Sequence, residues 1–549
     1  MVTTPQVSLA DRPETKVSDR RATIALAAAV LLGSVLRLAN LNRKSIWLDE
    51  AFSITLARAS WTAFWHTVKT TEANMSVYYL LLRFWLHLGR DPETVRLLSA
   101  IAGILTIPIV YAIGSRLFDR RAGIVAAFLF AIDPLHLAAS QEARGYSLAI
   151  LLIACSTWAF VHIVSDNSAT GGMAAPAGVA GGRHHTVRQV FWCSLYTCAS
   201  ALALYAHFYT GFVLLAQWLS LAARPPGRWW RPLLASAAGS GLLLIPLALF
   251  LLQGSHRNID WLGGALRAEL PEVINTVRTA PGLTAVILYG STILAVIWAS
   301  VLAVRIASPR SDRWAQLLAL LWLITPIAIP LAISVAIKPV LNPRYLVVCT
   351  PGFSLAAASV LTRASRPRLA RFAVAAIVML AAFADWTYFV SFRQENWRDA
   401  TRELLTESRP GDVALFYARY VRRPFDFYAE LAARGSNAPQ PQILYPDAAY
   451  SDFSSPVPGL TLEGAVDRAR VTAPRAWIVI SHTGSTDGAC MQALDEALRP
   501  AFPKVEERDY QWIKVRLYSR AQDSIPAIGT NAFALPPVAA ALSRACTQA

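Results

Sequence analysis

Ser45-Ile46-Trp47-Leu48-Asp49-Glu50-Ala51-Phe52-Ser53 sets two adjacent carboxylates between bulky apolar residues, just past the first long apolar run of the chain. Carboxylates at a membrane boundary cost desolvation unless something uses or pairs them. The run before them, Ala22–Leu41, has the length of about 20 residues that a bilayer-spanning helix needs. The residues before that run are polar, with Arg12, Lys16, Arg20 and Arg21, and read as a cytoplasmic tail over 1–21. The acidic stretch therefore emerges on the outer side.

Composition agrees with a membrane-embedded chain. Of 549 residues 55% are hydrophobic and only 16% charged, and mean hydropathy is +0.39; soluble domains carry about a quarter charged residues. The net charge of +16 could suggest nucleic acid. The arginines, however, recur in tight clusters between apolar runs, which is the pattern of cytoplasmic loops rather than of a nucleic-acid face. Arg20-Arg21 is not followed by a small-x-small cleavage site, so it does not read as an export signal. Cys155, Cys193, Cys198 and Cys349 fall in apolar runs as small core residues. Cys490 and Cys546 lie near the C-terminus, where spacing alone leaves their pairing open.

Further along, Trp61, Phe64, Trp65 and Val68 have helical spacing and suit a helix lying in the interface. Met75–Gly89 is apolar, short for a span, and contains Arg83 and His87, which predicts a juxtamembrane or half-inserted helix. Spans are then expected at Val95–Leu117, Ala122–Ala139, Ser147–Val164, Val190–Tyr205, Phe208–Ala222, Pro232–Leu252, Leu283–Val304, Trp314–Ile337, Tyr345–Leu361 and Phe372–Val390. With Met75–Gly89 not crossing, every arginine cluster falls on one side. The expected fold is a mainly α polytopic membrane bundle of about 11 spans over 22–390, with a first external loop at 42–94. A C-terminal α/β domain follows over 391–520, outside by span parity, and a loose tail over 521–549. The domain's strands are read at Gly411–Tyr417, Pro441–Tyr445, Ala476–Ile480 and Trp512–Tyr518, and its helices at Phe425–Ala433 and Met491–Leu498.

Three polar groups fall on the outer side. Asp49 either N-caps the helix Ala51–Ala59, with Glu50 in its first turn, or serves as a general base for an attacking hydroxyl. Ser140-Gln141-Glu142-Ala143-Arg144-Gly145-Tyr146-Ser147 is ordinary loop polarity with helix-capping serines, or a functional turn. It concentrates an acid, an arginine and a tyrosine where a short external loop should avoid arginine. Lys338-Pro339-Val340-Leu341-Asn342-Pro343-Arg344-Tyr345 sets Arg344 at a helix N-terminus, where the dipole disfavours a cation. An anion such as phosphate, docked between Arg344 and Lys338, accounts for it; snorkelling to lipid headgroups is the other reading. Asp133 and Asp385 lie within spans, as functional groups or local ion partners. His184-His185, His207 and His256 show no metal-site spacing.

Taken in order, these stretches resemble the GT-C membrane glycosyltransferases, in the glycosyltransferase family 39-like branch that holds protein O-mannosyltransferases and lipid A aminoarabinose transferases. Trp47-Leu48-Asp49-Glu50-Ala51 looks like that family's acidic motif. Val77-Tyr78-Tyr79-Leu80-Leu81-Leu82 and Val95-Arg96-Leu97-Leu98-Ser99-Ala100 look like its first-loop helix and the start of its second span. Gln141–Tyr146 and Pro343-Arg344-Tyr345-Leu346 are similar to later motifs. The family's His/Lys-Pro-Pro-Leu-Tyr-Tyr run is replaced here by Asn74-Met75-Ser76-Val77-Tyr78-Tyr79, without the basic residue or the prolines.

The resemblance implies a polyprenyl-phosphate-linked sugar (mannose, or another hexose or pentose) as donor and a lipid, glycan or protein acceptor. It implies inverting transfer at the outer face of a plasma membrane. Asp49 and Glu50 are the implied catalytic pair. Arg344, Arg144 and Lys338 would hold the donor phosphate, and Glu142, Tyr146, Tyr78 and Tyr345 would contact substrate. No cofactor is required, a divalent metal is compatible, and no nucleic acid is involved. The competing readings are a lipid or solute transporter and a noncatalytic scaffold. The first should show an internal repeat or paired half-helices; the sequence shows neither, and its long first external loop is unusual for a transporter. The second leaves the external arginines and acids without a purpose.

Overall fold

The computed structural model describes residues 19–166, 179–224, 227–253, 290, 292–302, 310–337, 340–364, 366–390, 394–434, 439–455, 457–481, 488–521, 542 and 546. Lys338, the polar tail before residue 19, most of 521–549, His256 and much of the Leu283–Val304 stretch lie outside them, as do the side chains of His184 and His185.

The first eight helices carry the architecture around the acidic stretch. They are α1 (Asp19–Leu38), α2 (Leu48–Arg58), α3 (Trp61–Thr70), α4 (Ser76–Trp85), α5 (Pro92–Leu117), α6 (Arg120–Ala131), α7 (Pro134–Ser140) and α8 (Tyr146–Asp166). At 1.5 Å per residue α1 is about 30 Å long, the thickness of a bilayer core. Helix α4 is half that and cannot cross. It buries Ser76, Tyr78, Tyr79 and Leu82 and leaves Leu81 and Phe84 exposed, as the short Met75–Gly89 stretch predicts. On α3, Trp61 and Trp65 stack outward. Arg83 of α4 lies over the Trp61 ring and donates to the carbonyls of Ala57 and Ala59, so α2, α3 and α4 lock together.

The expected span Ala122–Ala139 is not a single straight helix. Asp133-Pro134 breaks it, and α6 and α7 meet at 58°. Proline at position 134 removes a backbone donor and the Asp133 carboxylate caps the new helix by accepting from His136 N–H at 2.9 Å. The carbonyls freed at the end of α6 are satisfied by Arg37 of α1, which donates to Ala131 O at 2.8 Å and Phe130 O at 3.2 Å. Irregular backbone at membrane depth needs such internal partners. Asp133 thus serves as a cap. Pro232–Leu252 is likewise two helices, Trp230–Leu243 and Ile245–Leu252, bent by 43°. Tyr345–Leu361 begins as a 3-10 segment, Pro343–Cys349, before the α-helix Thr350–Arg363. Among the described residues six helices are long and apolar enough to cross a membrane, or eight if each bent pair is one span.

The last long apolar helix, Pro367–Val390, leads into the C-terminal domain. Its five-stranded sheet has the order β2-β1-β3-β5-β4, with β1 (Val413–Tyr417), β2 (Gln442–Tyr445), β3 (Arg475–Ser481), β4 (Lys504–Tyr510) and β5 (Ile513–Ser519). β2, β1 and β3 are parallel; β5 and β4 add an antiparallel hairpin. All of β1 and β3 is buried, as central parallel strands are. β4, Lys-Val-Glu-Glu-Arg-Asp-Tyr, escapes sequence detection because it is a charged edge strand. The helices Trp397–Glu407 and Leu462–Thr472 also go beyond the sequence reading. Cys490 and Cys546 form a disulfide, and Leu542 and Cys546 pack into the domain core, which corrects the picture of a wholly loose tail. The domain sits directly on the acidic stretch. Ile46 N–H donates to the Tyr428 hydroxyl at 2.7 Å, Arg398 N–H to Ser45 Oγ at 3.0 Å, and Arg58 pairs with Glu430 at 2.5 Å.

Candidate active site

Residues 49 and 50 open α2, and neighbouring residues on a helix point about 100° apart. That offset separates the two carboxylates completely. Glu50 turns inward and is fully buried. Arg96 of α5 grips it with two bonds, Nε to Oε1 at 2.7 Å and Nη2 to Oε2 at 2.6 Å. Ala143 N–H adds a third at 2.9 Å. The remaining Arg96 donors take the carbonyls of Leu41, Lys44 and Ser45. Glu50 and Arg96 therefore fasten the 41–45 loop, α2, α5 and the 141–145 turn to one point. Glu50, expected as one of a catalytic pair, is thus buried and fully engaged by Arg96 and Ala143 N–H, while Asp49 is not.

Asp49 turns outward and is about a third exposed. Two guanidinium groups meet its Oδ2, Arg344 at 3.4 Å and Arg144 at 3.9 Å. Arg344 is half exposed and lies over the Trp47 ring, 4.2 Å from its centroid. It is delivered by the start of the 3-10 segment, where Asn342 Oδ1 accepts from Arg344 N–H at 3.0 Å. Arg144 is mostly enclosed. It donates at 3.4 Å to Asp49 O, Ser53 Oγ and Tyr79 OH, and its Nε has no partner among the described residues. Gly145 allows the turn to close here. A Cβ at that position would sit 3.1 Å from both Ala206 O and the Met75 side chain.

Two carboxyl groups flank this trio. Glu142 is half buried, and its carboxyl is pushed up to about 7, mainly by burial, with Arg344 opposing and Glu50 and Asp49 adding to the rise. Gln394 Nε2 reaches it at 3.5 Å. Glu72, between α3 and α4, is likewise raised to about 7 by burial, with Arg144 opposing and Asp49 adding. Glu72 carries no motif signal in the sequence. It joins the site only because α3 and α4 fold back on α2. From the C-terminal domain Arg423 comes close enough to act electrostatically on Glu72. Its guanidinium stacks on Phe453 at 4.3 Å and on Phe52 at 5.5 Å.

The tyrosines divide. Tyr78, expected to touch substrate, is fully buried and bonded to Ser99 Oγ at 3.0 Å; its neighbour Tyr79 reaches Arg144 instead. Tyr146 and Tyr345 do come together, around His207, with ring centroids 5.3 and 4.7 Å from the imidazole. His207 Nδ1 accepts from Tyr209 N–H at 3.2 Å, which leaves the proton on Nε2. Burial, then the Arg144 cation, lowers the imidazole to about 3, so it is neutral at ordinary pH. Among the described residues no three His, Cys, Asp or Glu side chains cluster as a metal site would need.

Comparison with known proteins meets this geometry from outside. The family model of dolichyl-phosphate-mannose-protein mannosyltransferases matches residues 75–187. No curated protein matches the chain. Among solved structures, ArnT from Cupriavidus metallidurans bound to undecaprenyl phosphate is similar over 94% of this chain and 100% of its own, with a TM-score of 0.56 at 14% identity. The archaeal oligosaccharyltransferase AglB from Archaeoglobus fulgidus, in complex with an inhibitory peptide and a dolichol-phosphate, is similar over 92% of this chain and 75% of its own. Its TM-score is 0.52 at 13% identity. These likenesses give the chain the GT-C-like fold of ArnT and AglB, with long apolar helices of a multi-pass membrane protein; the mannosyltransferase family match covers residues 75–187.

Proposed function

We propose that the chain moves a sugar from a polyprenyl-phosphate donor to an acceptor at the outer face of a plasma membrane, inverting the anomeric carbon, with Asp49 as general base. The observation that carries this reading is the outward carboxylate of Asp49 held between Arg144 and Arg344. In the step, an acceptor hydroxyl or amine attacks the anomeric carbon and gives its proton to Asp49. The bond from that carbon to the phosphate oxygen breaks through an oxocarbenium-like transition state, by analogy with glycoside hydrolysis. The lipid monophosphate departs with the bonding pair. Arg344 and Arg144 can meet that developing charge with forked donors, which serves as electrostatic stabilisation without a cofactor. Phosphate also competes with Asp49 for both guanidinium groups, so donor binding would free the carboxylate to take a proton.

The family match supports a phosphate-linked mannose or a related hexose or pentose as donor. The lipid phosphates bound to ArnT and AglB support the polyprenyl carrier. Tyr146 and Tyr345 border the site as sugar contacts, and Glu142 and Glu72 orient the arginines and the acceptor. A cavity of about 410 Å³ between α2–α3 and the C-terminal domain, lined by Thr55, Arg58, Asp426, Glu430 and Ser454 among others, offers an acceptor hydrogen-bonding groups near Arg423. The Cys490–Cys546 disulfide supports an extracytoplasmic C-terminal domain, because such bonds persist in oxidising compartments. The arginine clusters support a cytoplasmic N-terminus.

The test is sugar transfer from radiolabelled polyprenyl-phosphate sugars in membranes containing the protein or its Asp49→Asn form. Loss of labelled product in a correctly inserted variant is expected. Equal transfer by both forms would remove Asp49 from the chemistry.

A further inference from the structure

The C-terminal domain turns one edge of its sheet toward the membrane-embedded part. β1 and β3 run parallel and β5 runs against β3, so the carboxyl ends of β1 and β3 share an edge with the β4–β5 turn. That edge is the one leading into the helix Arg422–Ala433, whose Tyr428 accepts from Ile46 at the start of the acidic stretch. The β4–β5 turn is two residues, Gln511 and Trp512. Asn396 N–H donates to Gln511 O at 3.3 Å and Ser481 Oγ to Trp512 O at 3.0 Å, so the turn is pinned on both sides. A cavity of about 440 Å³ beside it is shared by Arg43, Lys44, Val390, Asn396, Tyr510 and Gln511. The turn therefore lies beside Val390, the last residue of the final long apolar helix, and beside the loop after the first.

At this point the chain carries a tryptophan that packs against little. Trp512 is 65% exposed and has φ of +59°, a left-handed conformation that two-residue hairpin turns usually give to Asn or Gly. A bulky residue placed there and left uncovered wants a partner other than the folded chain. On the adjoining helix, Trp386 and Val390 are also exposed, as lipid-facing residues are. Tryptophan concentrates at the membrane–water interface because its ring is apolar and its N–H is polar.

We infer that the β4–β5 turn, led by Trp512, seats in the interfacial layer of the bilayer beside the outlet of the last span, so that the C-terminal domain rests on lipid as well as on protein. The contact fixes the height of the domain above the membrane, and with it the position of Arg423 and the cavity facing α2. It requires only that the chain is membrane-embedded and stands apart from the transfer reaction.

The full-length protein, with Cys155, Cys193, Cys198 and Cys349 replaced, would be given one labelling cysteine as Trp512→Cys, Gln511→Cys or Val471→Cys. Each form would carry an environment-sensitive fluorophore in phosphatidylcholine nanodiscs. Val471 is an exposed control on the helix that leads to the opposite edge of the sheet. The labels at 511 and 512 should emit to the blue of the label at 471. Lipids bearing a nitroxide high on the acyl chain should quench them about twofold more strongly than the control, as an interfacial depth requires. Emission and quenching at both 511 and 512 equal to those at 471 would overturn the proposal and leave Trp512 as a water-facing platform for a soluble partner.

Discussion

The first turn of α2 holds two carboxylate–arginine clusters built from the same chemistry and put to opposite uses. At Glu50 the carboxylate and Arg96 are both sealed from solvent, every oxygen is bonded at 2.6–2.9 Å to a close donor, and three loop carbonyls complete the guanidinium. At Asp49 the contacts are 3.4–3.9 Å, the carboxylate is a third exposed and Arg344 is half exposed. A sealed, fully bonded pair has nothing left to offer a substrate and fixes geometry. A loose, open pair carries charge that a ligand can take over. Adjacent residues in sequence thus become scaffold and, under the proposed function, site.

The widest separation between the two clusters should come from Asp49→Asn. It is expected to cut sugar transfer by about 10²–10⁴-fold, the usual contribution of a general base, with thermal stability in detergent close to that of the parent. A large fall in stability instead would make Asp49 part of the scaffold too. Glu50→Gln should do the reverse. Removing one charge from a buried pair leaves Arg96 uncompensated and costs about 3–5 kcal/mol, read as a large drop in melting temperature. The double change Glu50→Leu with Arg96→Met should recover much of that stability, because apolar replacement of a whole buried pair is often neutral. No recovery would mean that the bonds from Arg96 to the 41–45 carbonyls matter more than the ion pair.

A smaller effect is expected from Arg344→Lys. It keeps the charge but loses the forked donors and the guanidinium contact with the Trp47 ring, so it should weaken donor use by about tenfold, roughly 1.4 kcal/mol. The change should appear in the KM for donor, with stability untouched. An unchanged donor KM would move the phosphate to Arg144 alone.

The smallest effect separates the flanking acids. Glu72 and Glu142 rise from 4.5 to about 7 on folding. Between those values the folded chain keeps protons that the unfolded chain has lost, so stability falls as pH rises from about 4.5 to about 7 and then levels. Glu72→Gln should shallow that slope in a pH series of thermal melts. A slope unchanged by Glu72→Gln would show that Glu72 is ionised across the range and leave Glu142 as the source.

Much of this protein is legible without coordinates where the signal is local. The spans read at Ala22–Leu41, Val95–Leu117, Ser147–Val164 and Trp314–Ile337, the short α4 stretch and the alternation of strands and helices after residue 391 follow from apolar periodicity, and the structure repeats these within a few residues. Ala122–Ala139 and Pro232–Leu252 are each bent in two, and among the described residues six to eight spans qualify where the sequence predicts about 11. β4 fails that test because charge on an edge strand hides its pattern. The break at Asp133-Pro134 is visible as a proline, but its tolerance depends on Arg37, nearly a hundred residues away in sequence. Asp49, Arg144 and Arg344 stand out because each sits where its charge is costly. Glu72 and Arg423 stand out nowhere in the sequence, since an exposed-looking acid in a loop and an arginine in a soluble domain are ordinary.

By itself, then, the sequence determined the class of the molecule: a membrane-embedded helical bundle with a cluster of acids and arginines outside it and an α/β domain after it. Hydrophobic length and charge placement are properties of single segments, and the bilayer reads them segment by segment. Only the tertiary structure decided which of two neighbouring carboxylates faces outward, which of two neighbouring tyrosines reaches Arg144, and which acid and which arginine from distant segments complete the site. Those choices depend on how α2 rotates against α4, α5 and the C-terminal domain, and that rotation is set by burying Glu50 with Arg96 rather than by anything in the local pattern.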